Sequence, residues 1–168
     1  THTTARRRLA VGLIALTAAG AASVGTIALS GSSASPDRAY AQTADSTVPA
    51  AVAAATGQIA VAVEAIADSL ARGGRLIYVG AGSSGRIAAL DAAECESTFS
   101  SPPGKVVSLL AGGAHASPLE QEAAEDDRDA GRADVEALEL KPEDVVVGIS
   151  ASGRTPYVLA AIDAATAA

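Results

Sequence analysis

The sequence predicts a doubly wound α/β domain built on a parallel sheet, and three observations carry that prediction. Short apolar runs rich in β-branched residues, at 75–80, 105–110 and 144–149, each stop at glycine or serine. Helix-forming runs alternate with them. The first and third runs also end alike, in Val79-Gly80-Ala81-Gly82-Ser83-Ser84-Gly85 and Val147-Gly148-Ile149-Ser150-Ala151-Ser152-Gly153. Alternation of this kind implies right-handed crossovers and a sheet covered on both faces. Ligands are then expected at the carboxyl ends of the strands.

Composition narrows the function. The chain has 168 residues, a net charge of −7 and 2% aromatic residues, so it offers no basic face for nucleic acid. Length allows one ordinary domain, or a smaller one with an extension. A single cysteine, Cys95, excludes an internal disulfide.

Residues 1–45 read as a signal- or anchor-like segment followed by a linker. Arg6-Arg7-Arg8 precedes the uncharged run 9–29, and Ala39-Tyr40-Ala41 has the small-x-small form of a cleavage site. Export, or membrane association through 9–29, is one reading; an apolar segment of a soluble protein is the other. Residues 30–45 are rich in Ser, Ala and polar residues and read as linker.

The globular part is expected over 46–168. Thr47 is placed to cap a helix with Pro49 in its first turn. Val52, Ile59, Val63, Ile66 and Leu70 recur at helical spacing, and Gly73-Gly74 ends the run. After the first strand, a helix is predicted from about Ser83. The second strand, 105–110, stops at Gly112-Gly113. Ser117-Pro118 opens a charged helix reaching about Gly131 and continuing loosely to Leu138. The third strand follows the turn Lys141-Pro142-Glu143. A second serine/glycine loop then leads into a helix from Tyr157.

The loop after the first strand presents free N–H groups and the positive end of a helix dipole, with two serine hydroxyls and Arg86 one turn in. Gly80-Ala81-Gly82-Ser83-Ser84-Gly85 formally fits G-x-G-x-x-G. A dinucleotide site, however, wants an acidic residue at the end of the second strand, where Leu109-Leu110-Ala111-Gly112-Gly113 supplies none. A phosphate monoester is favoured, and glycines kept for close packing are the alternative. Ser150, Ser152, Gly153, Arg154 and Thr155 in the second loop offer more donors than a helix cap needs, so the two loops are expected to clasp one anion.

Glu94 lies near the far end of the helix that begins at the first loop, where its charge opposes the dipole. Glu122, Glu125, Asp126 and Asp127 form an acidic run that reads by default as a solvated face. Paired carboxylates can divide acid and base work. His115 and Cys95 lack partners at metal-ligand spacing, so no metal is expected.

Taken together, four stretches resemble a sugar isomerase (SIS) domain and, within it, the N-acetylmuramic acid 6-phosphate etherases. They are residues 74–86, Leu90-Asp91-Ala92-Ala93-Glu94-Cys95, Ala124-Glu125-Asp126-Asp127 and 144–158. The resemblance runs from about residue 46 to 168. It implies a cofactor-independent lyase that removes D-lactate from N-acetylmuramic acid 6-phosphate and leaves N-acetylglucosamine 6-phosphate. It implies Glu94 as the acid assisting lactate departure and Glu125 as the base at sugar C2. Ser83, Ser84, Gly85, Arg86, Ser150, Ser152, Gly153, Arg154 and Thr155 would then hold the substrate. It also implies a homodimer of the full-length protein, a cytoplasmic location, and a five-stranded sheet with a helical C-terminal region. The three strands read here are therefore expected to be the N-terminal part of that sheet, with an open edge on the third strand. Glu96 and Ser97 stand where the family has two prolines. A SIS-type module that binds an amino-sugar phosphate without turnover is the competing reading, since it needs the loops but neither glutamate.

Overall fold

The computed structural model describes residues 14–15 and 36–168, with side chains from Ser46 onward. The signal-like run therefore lies outside the described residues, apart from Ile14 and Ala15. The elements in chain order are β1 (Ile14–Ala15), α1 (Pro36–Ala71), β2 (Leu76–Gly80), α2 (Gly82–Phe99), β3 (Val106–Leu110), α3 (Pro118–Ala124), α4 (Arg128–Glu136), β4 (Val145–Ser150) and α5 (Pro156–Ala167). The sheet is parallel with order β1-β4-β2-β3. The predicted α/β class and its three long strands are present, and β2 lies between β3 and β4; the edge expected to be open on the third of them is covered at its end, where Ile14 and Ala15 pair with Ile149 and Ser150.

Strand alternation divides the core into two layers. Ile77, Val79 and Val146 point to one face, where Val135 of α4 and Tyr157, Val158 and Ala161 of α5 cover them. Leu76, Val145 and Val147 point to the other, against Ile66 and Leu70 of α1. This period-two partition of near-continuous apolar strands is what a sheet covered on both faces requires. At the amino edge Arg75 and Asp144 pin β2 to β4: Nη2 donates to Oδ2 at 2.6 Å and the Arg75 amide to Oδ1 at 2.8 Å. The Asp144 side chain is 1% exposed. Burial alone would raise its pKa, but hydrogen bonds from Arg75 and from the Lys141 and Arg75 amides, with the guanidinium charge, hold it below the usual carboxylate range.

Two expectations about helices are corrected. The first helix starts at Pro36, not near Thr47, so part of the expected linker is helical and Pro49 sits inside the helix. Proline in a helix interior loses one backbone hydrogen bond and crowds a carbonyl one turn back, a cost of about 3 kcal/mol that the long flanking runs offset. By length and composition Ser46–Ala71 is also apolar enough to cross a membrane, yet Ile66 and Leu70 of that stretch pack on the sheet. The charged run after Ser117 is not one helix. It breaks between Ala124 and Arg128, because the Asp127 side chain accepts from the Ala130 amide at 2.9 Å and starts α4 afresh.

Candidate functional site at the carboxyl edge

β2 and β4 are neighbours in register, Gly80 opposite Ile149, so the loops that follow them leave the same sheet edge side by side. Strands in a sheet are about 4.8 Å apart, close enough for one small anion to touch both loops.

In the first loop Gly80 and Gly85 serve packing. A Cβ on Gly85 would lie 2.7 Å from the Gly80 carbonyl oxygen and 2.4 Å from Leu110 Cδ1, and one on Gly80 would lie 2.7 Å from Gly85 Cα. Close backbone approach therefore accounts for glycine at these two positions. No side chain caps α2, whose first intrahelical bond is the one from the Gly85 amide to the Ala81 carbonyl at 3.1 Å. The amides of Gly82, Ser83 and Ser84 precede it at the positive end of the helix. Ser83 and Arg86 are exposed. The Arg86 guanidinium reaches back over this turn, Nη2 donating to Ser83 Oγ at 3.0 Å and Nη1 to Gln121 Oε1 at 2.9 Å.

The second loop is tied to itself. Ser150 and Thr155 are 6% and 7% exposed, and their hydroxyls bond each other at 2.9 Å. Ser150 Oγ also accepts from the Gly153 amide at 3.1 Å, and Ser152 Oγ from the Arg154 amide at 3.1 Å. Thr155 occupies the N-cap position of α5 without capping it by its side chain. Ser150 and Thr155 thus build the loop from beneath, while Ser152 and Arg154 stand exposed at its rim.

The two glutamates are placed very differently. Glu125 follows the short α3, and its carbonyl accepts from the Tyr157 amide at 3.1 Å, immediately after the second loop. Tyr157 is itself fixed: its hydroxyl donates to Asp134 Oδ2 at 2.5 Å, and a Cβ on Gly131 would lie 2.2 Å from its carbonyl oxygen. Burial first, then the bond to Asp134, push the Tyr157 phenol up, so it stays a donor. Glu94 is exposed and lies three turns along α2, about 18 Å from its start at a rise of 1.5 Å per residue. The anion loop and this carboxylate do share one element, but at opposite ends of it. The Glu125 backbone thus lies beside the end of the second loop, while Glu94 lies far along α2 from the first.

Around Glu94, Tyr78 donates to Asp91 Oδ2 at 2.9 Å. Burial, then the Asp91 and Glu94 charges, push the Cys95 thiol up, the opposite of what an activated nucleophile needs. Among the described residues no group of three or more His, Cys, Asp or Glu is placed to hold a metal ion. A cleft of about 320 Å³ at the opposite, amino edge is lined by Asp68, Arg72, Glu143 and Asp144 and contains none of the loop residues.

Residues 58–166 match the family described as Glucokinase regulatory protein N-terminal SIS domain. The chain belongs to this SIS family. It is also similar to proteins named N-acetylmuramic acid 6-phosphate etherase. That of Streptomyces avermitilis is 53% identical over 123 residues, covering 73% of this chain and 40% of the relative. That of Streptomyces coelicolor is 55% identical over 119 residues, 71% and 38% of the two chains. The etherase 1 of Vibrio cholerae is 54% identical over 119 residues, 71% and 40%. The chain therefore spans about two fifths of the length of these relatives. As a SIS domain it presents the two serine loops on adjacent strands. Sequence reasoning missed Gln121, Asp134 and the Tyr157 amide, which position Arg86 and Glu125. The start of α3 at Ser117-Pro118 was legible, and the structure adds a capping box between Ser117 and Glu120 there.

Proposed function

We propose that residues 46–168 are the sugar-phosphate-binding part of a lyase that cleaves the D-lactyl ether of N-acetylmuramic acid 6-phosphate. The observation that carries this reading is the pair of serine loops on adjacent strands, with the Glu125 backbone bonded to Tyr157 directly after the second of them. The names of the relatives supply the substrate class. The phosphate sits against the α2 amides, Ser83, Ser84 and Arg86, with Ser152, Gly153 and Arg154 on the far side and Ser150 and Thr155 supporting them. Glu125 takes the proton from sugar C2, and Glu94 protonates the departing lactate oxygen. That elimination releases D-lactate and leaves an unsaturated sugar, and water then adds across the new double bond to give N-acetylglucosamine 6-phosphate. A C–H beside a carbonyl needs a positioned base, and a poor alkoxide leaving group needs an acid.

Because Glu94 stands about 18 Å along α2 from the loop on its own chain, the acid comes from a second copy, and the working unit is a homodimer. No cofactor enters this chemistry. The substrate, formed by phosphorylation on import, places the activity in the cytoplasm; the alternative is attachment to the membrane through 9–29. The remote Glu94 favours one second reading, a binding module without turnover.

The experiment is D-lactate release from N-acetylmuramic acid 6-phosphate by the full-length protein, with Glu94→Gln and Glu125→Gln. Each variant alone should be inactive. Mixing the two should restore roughly a quarter of wild-type activity, since mixed dimers carry one intact composite site. Binding without any lactate from wild type establishes the module instead.

A further inference from the structure

We propose that Gln121 is a positioning residue that holds Arg86 aimed at the phosphate of the ligand without setting a carboxylate against its charge. This rests on the sugar-phosphate reading above.

Side chains on a helix lean toward its N-terminus, so Arg86 covers the first turn of α2. The bond from its Nη2 to Ser83 Oγ at 3.0 Å fixes one side of the guanidinium there. Gln121 fixes the other, accepting from Nη1 at 2.9 Å. Gln121 is only 6% exposed, and its own Nε2 donates to the Ala116 carbonyl at 3.3 Å, so its orientation is set from behind. A guanidinium has five donors, and these two bonds leave its remaining edge free to meet an anion.

The identity of the holding group matters in a chain of net charge −7. Both ion pairs among the described residues involve other arginines, Arg75 with Asp144 and Arg128 with Asp163. Arg86 is gripped instead by a neutral amide. The neighbouring Glu120 is turned away, its carboxylate accepting from the Ser117 amide at 2.7 Å. A carboxylate at position 121 would have gripped Arg86 as well, but would have cancelled the charge that the phosphate needs. Gln121 also sits one helical turn before Glu125, so the same short helix sets the phosphate grip and the base.

The test is the affinity of the full chain for N-acetylglucosamine 6-phosphate and for unphosphorylated N-acetylglucosamine, in wild type, Gln121→Glu and Gln121→Met, with melting temperatures recorded beside them. Gln121→Glu keeps the shape and the bond but sets a negative charge against Arg86. It should cut the preference for the phosphorylated sugar by about tenfold, the worth of one charge-assisted hydrogen bond, and leave affinity for the unphosphorylated sugar unchanged. Gln121→Met should cut it less, because Ser83 still holds Arg86. A wild type without any phosphate preference overturns the sugar-phosphate reading and this inference with it. A preference kept by both variants overturns this inference alone. So does an equal loss of affinity for both sugars together with a lowered melting temperature, which marks a purely structural role.

Discussion

The loops after β2 and β4 look alike in sequence and leave neighbouring strands at one edge, yet they are built in opposite ways. The first is held by close backbone packing at Gly80 and Gly85, which leaves its amides and Ser84 outside the packing. The second is held by its own hydroxyls, Ser150 to Thr155 and to the Gly153 amide. The first loop engages Ser83 through Arg86 and ties none of its hydroxyls to its own backbone, while the second bonds its hydroxyls to one another and to its own amides. Similar glycine and serine content therefore does not mean similar work.

The largest effect expected from this difference is at Gly85. Gly85→Ala puts a Cβ into the Gly80 carbonyl and Leu110, and neither the backbone nor the helix can give way cheaply. It should destabilise by about 3 kcal/mol in urea unfolding. Gly153→Ala puts a side chain on a left-handed backbone, φ 67°, and should cost about 1 kcal/mol. Equal losses at the two sites would break the comparison.

Hydroxyl removal should run the other way. Thr155→Val keeps the shape but strips a buried partner from Ser150, for about 1 to 1.5 kcal/mol by the same measurement. Ser84→Ala should stay within about 0.5 kcal/mol while weakening phosphate binding. If Ser84→Ala were the more destabilising of the two, the first loop would be tied by its hydroxyls after all.

The smallest effect concerns pH and lies away from both loops. Neither loop contains a carboxylate, whereas Asp144 at the amino edge has its pKa held down in the folded state. A depressed carboxylate contributes stability above its unfolded pKa near 4, and that contribution disappears as pH falls through the lower folded value. Asp144→Asn should therefore reduce stability at pH 7 and flatten its decline below about pH 4. An unchanged acid slope would show that other carboxylates dominate.

Much of this was readable from the chain. The three long strands and the two loops followed from apolar runs ending at glycine or serine, whereas the adjacency of β2 and β4 is read from the strand pairing. What the sequence hid were effects of competition and reach. Pro49 looks like a helix start and lies inside α1, because local capping signals do not reveal that helical residues precede them. Asp127 looked like one more acid on a solvated face, but its side chain caps α4 and splits the run, and that break sets Glu125 beside Tyr157. Glu96 and Ser97 let α2 continue to Phe99, which places Glu94 on an exposed helical face rather than in a loop. Gln121 carried no motif; its role arises only where α3 meets α2.

The most direct test of the two-loop site is a titration of the isotope-labelled chain with N-acetylglucosamine 6-phosphate, followed by amide resonances. The account predicts shifts at Gly82 to Gly85 and at Ser152 to Arg154, with inorganic phosphate reproducing those of the first loop. Shifts confined to one loop, or centred on Asp68 and Arg72 at the opposite edge, would contradict it.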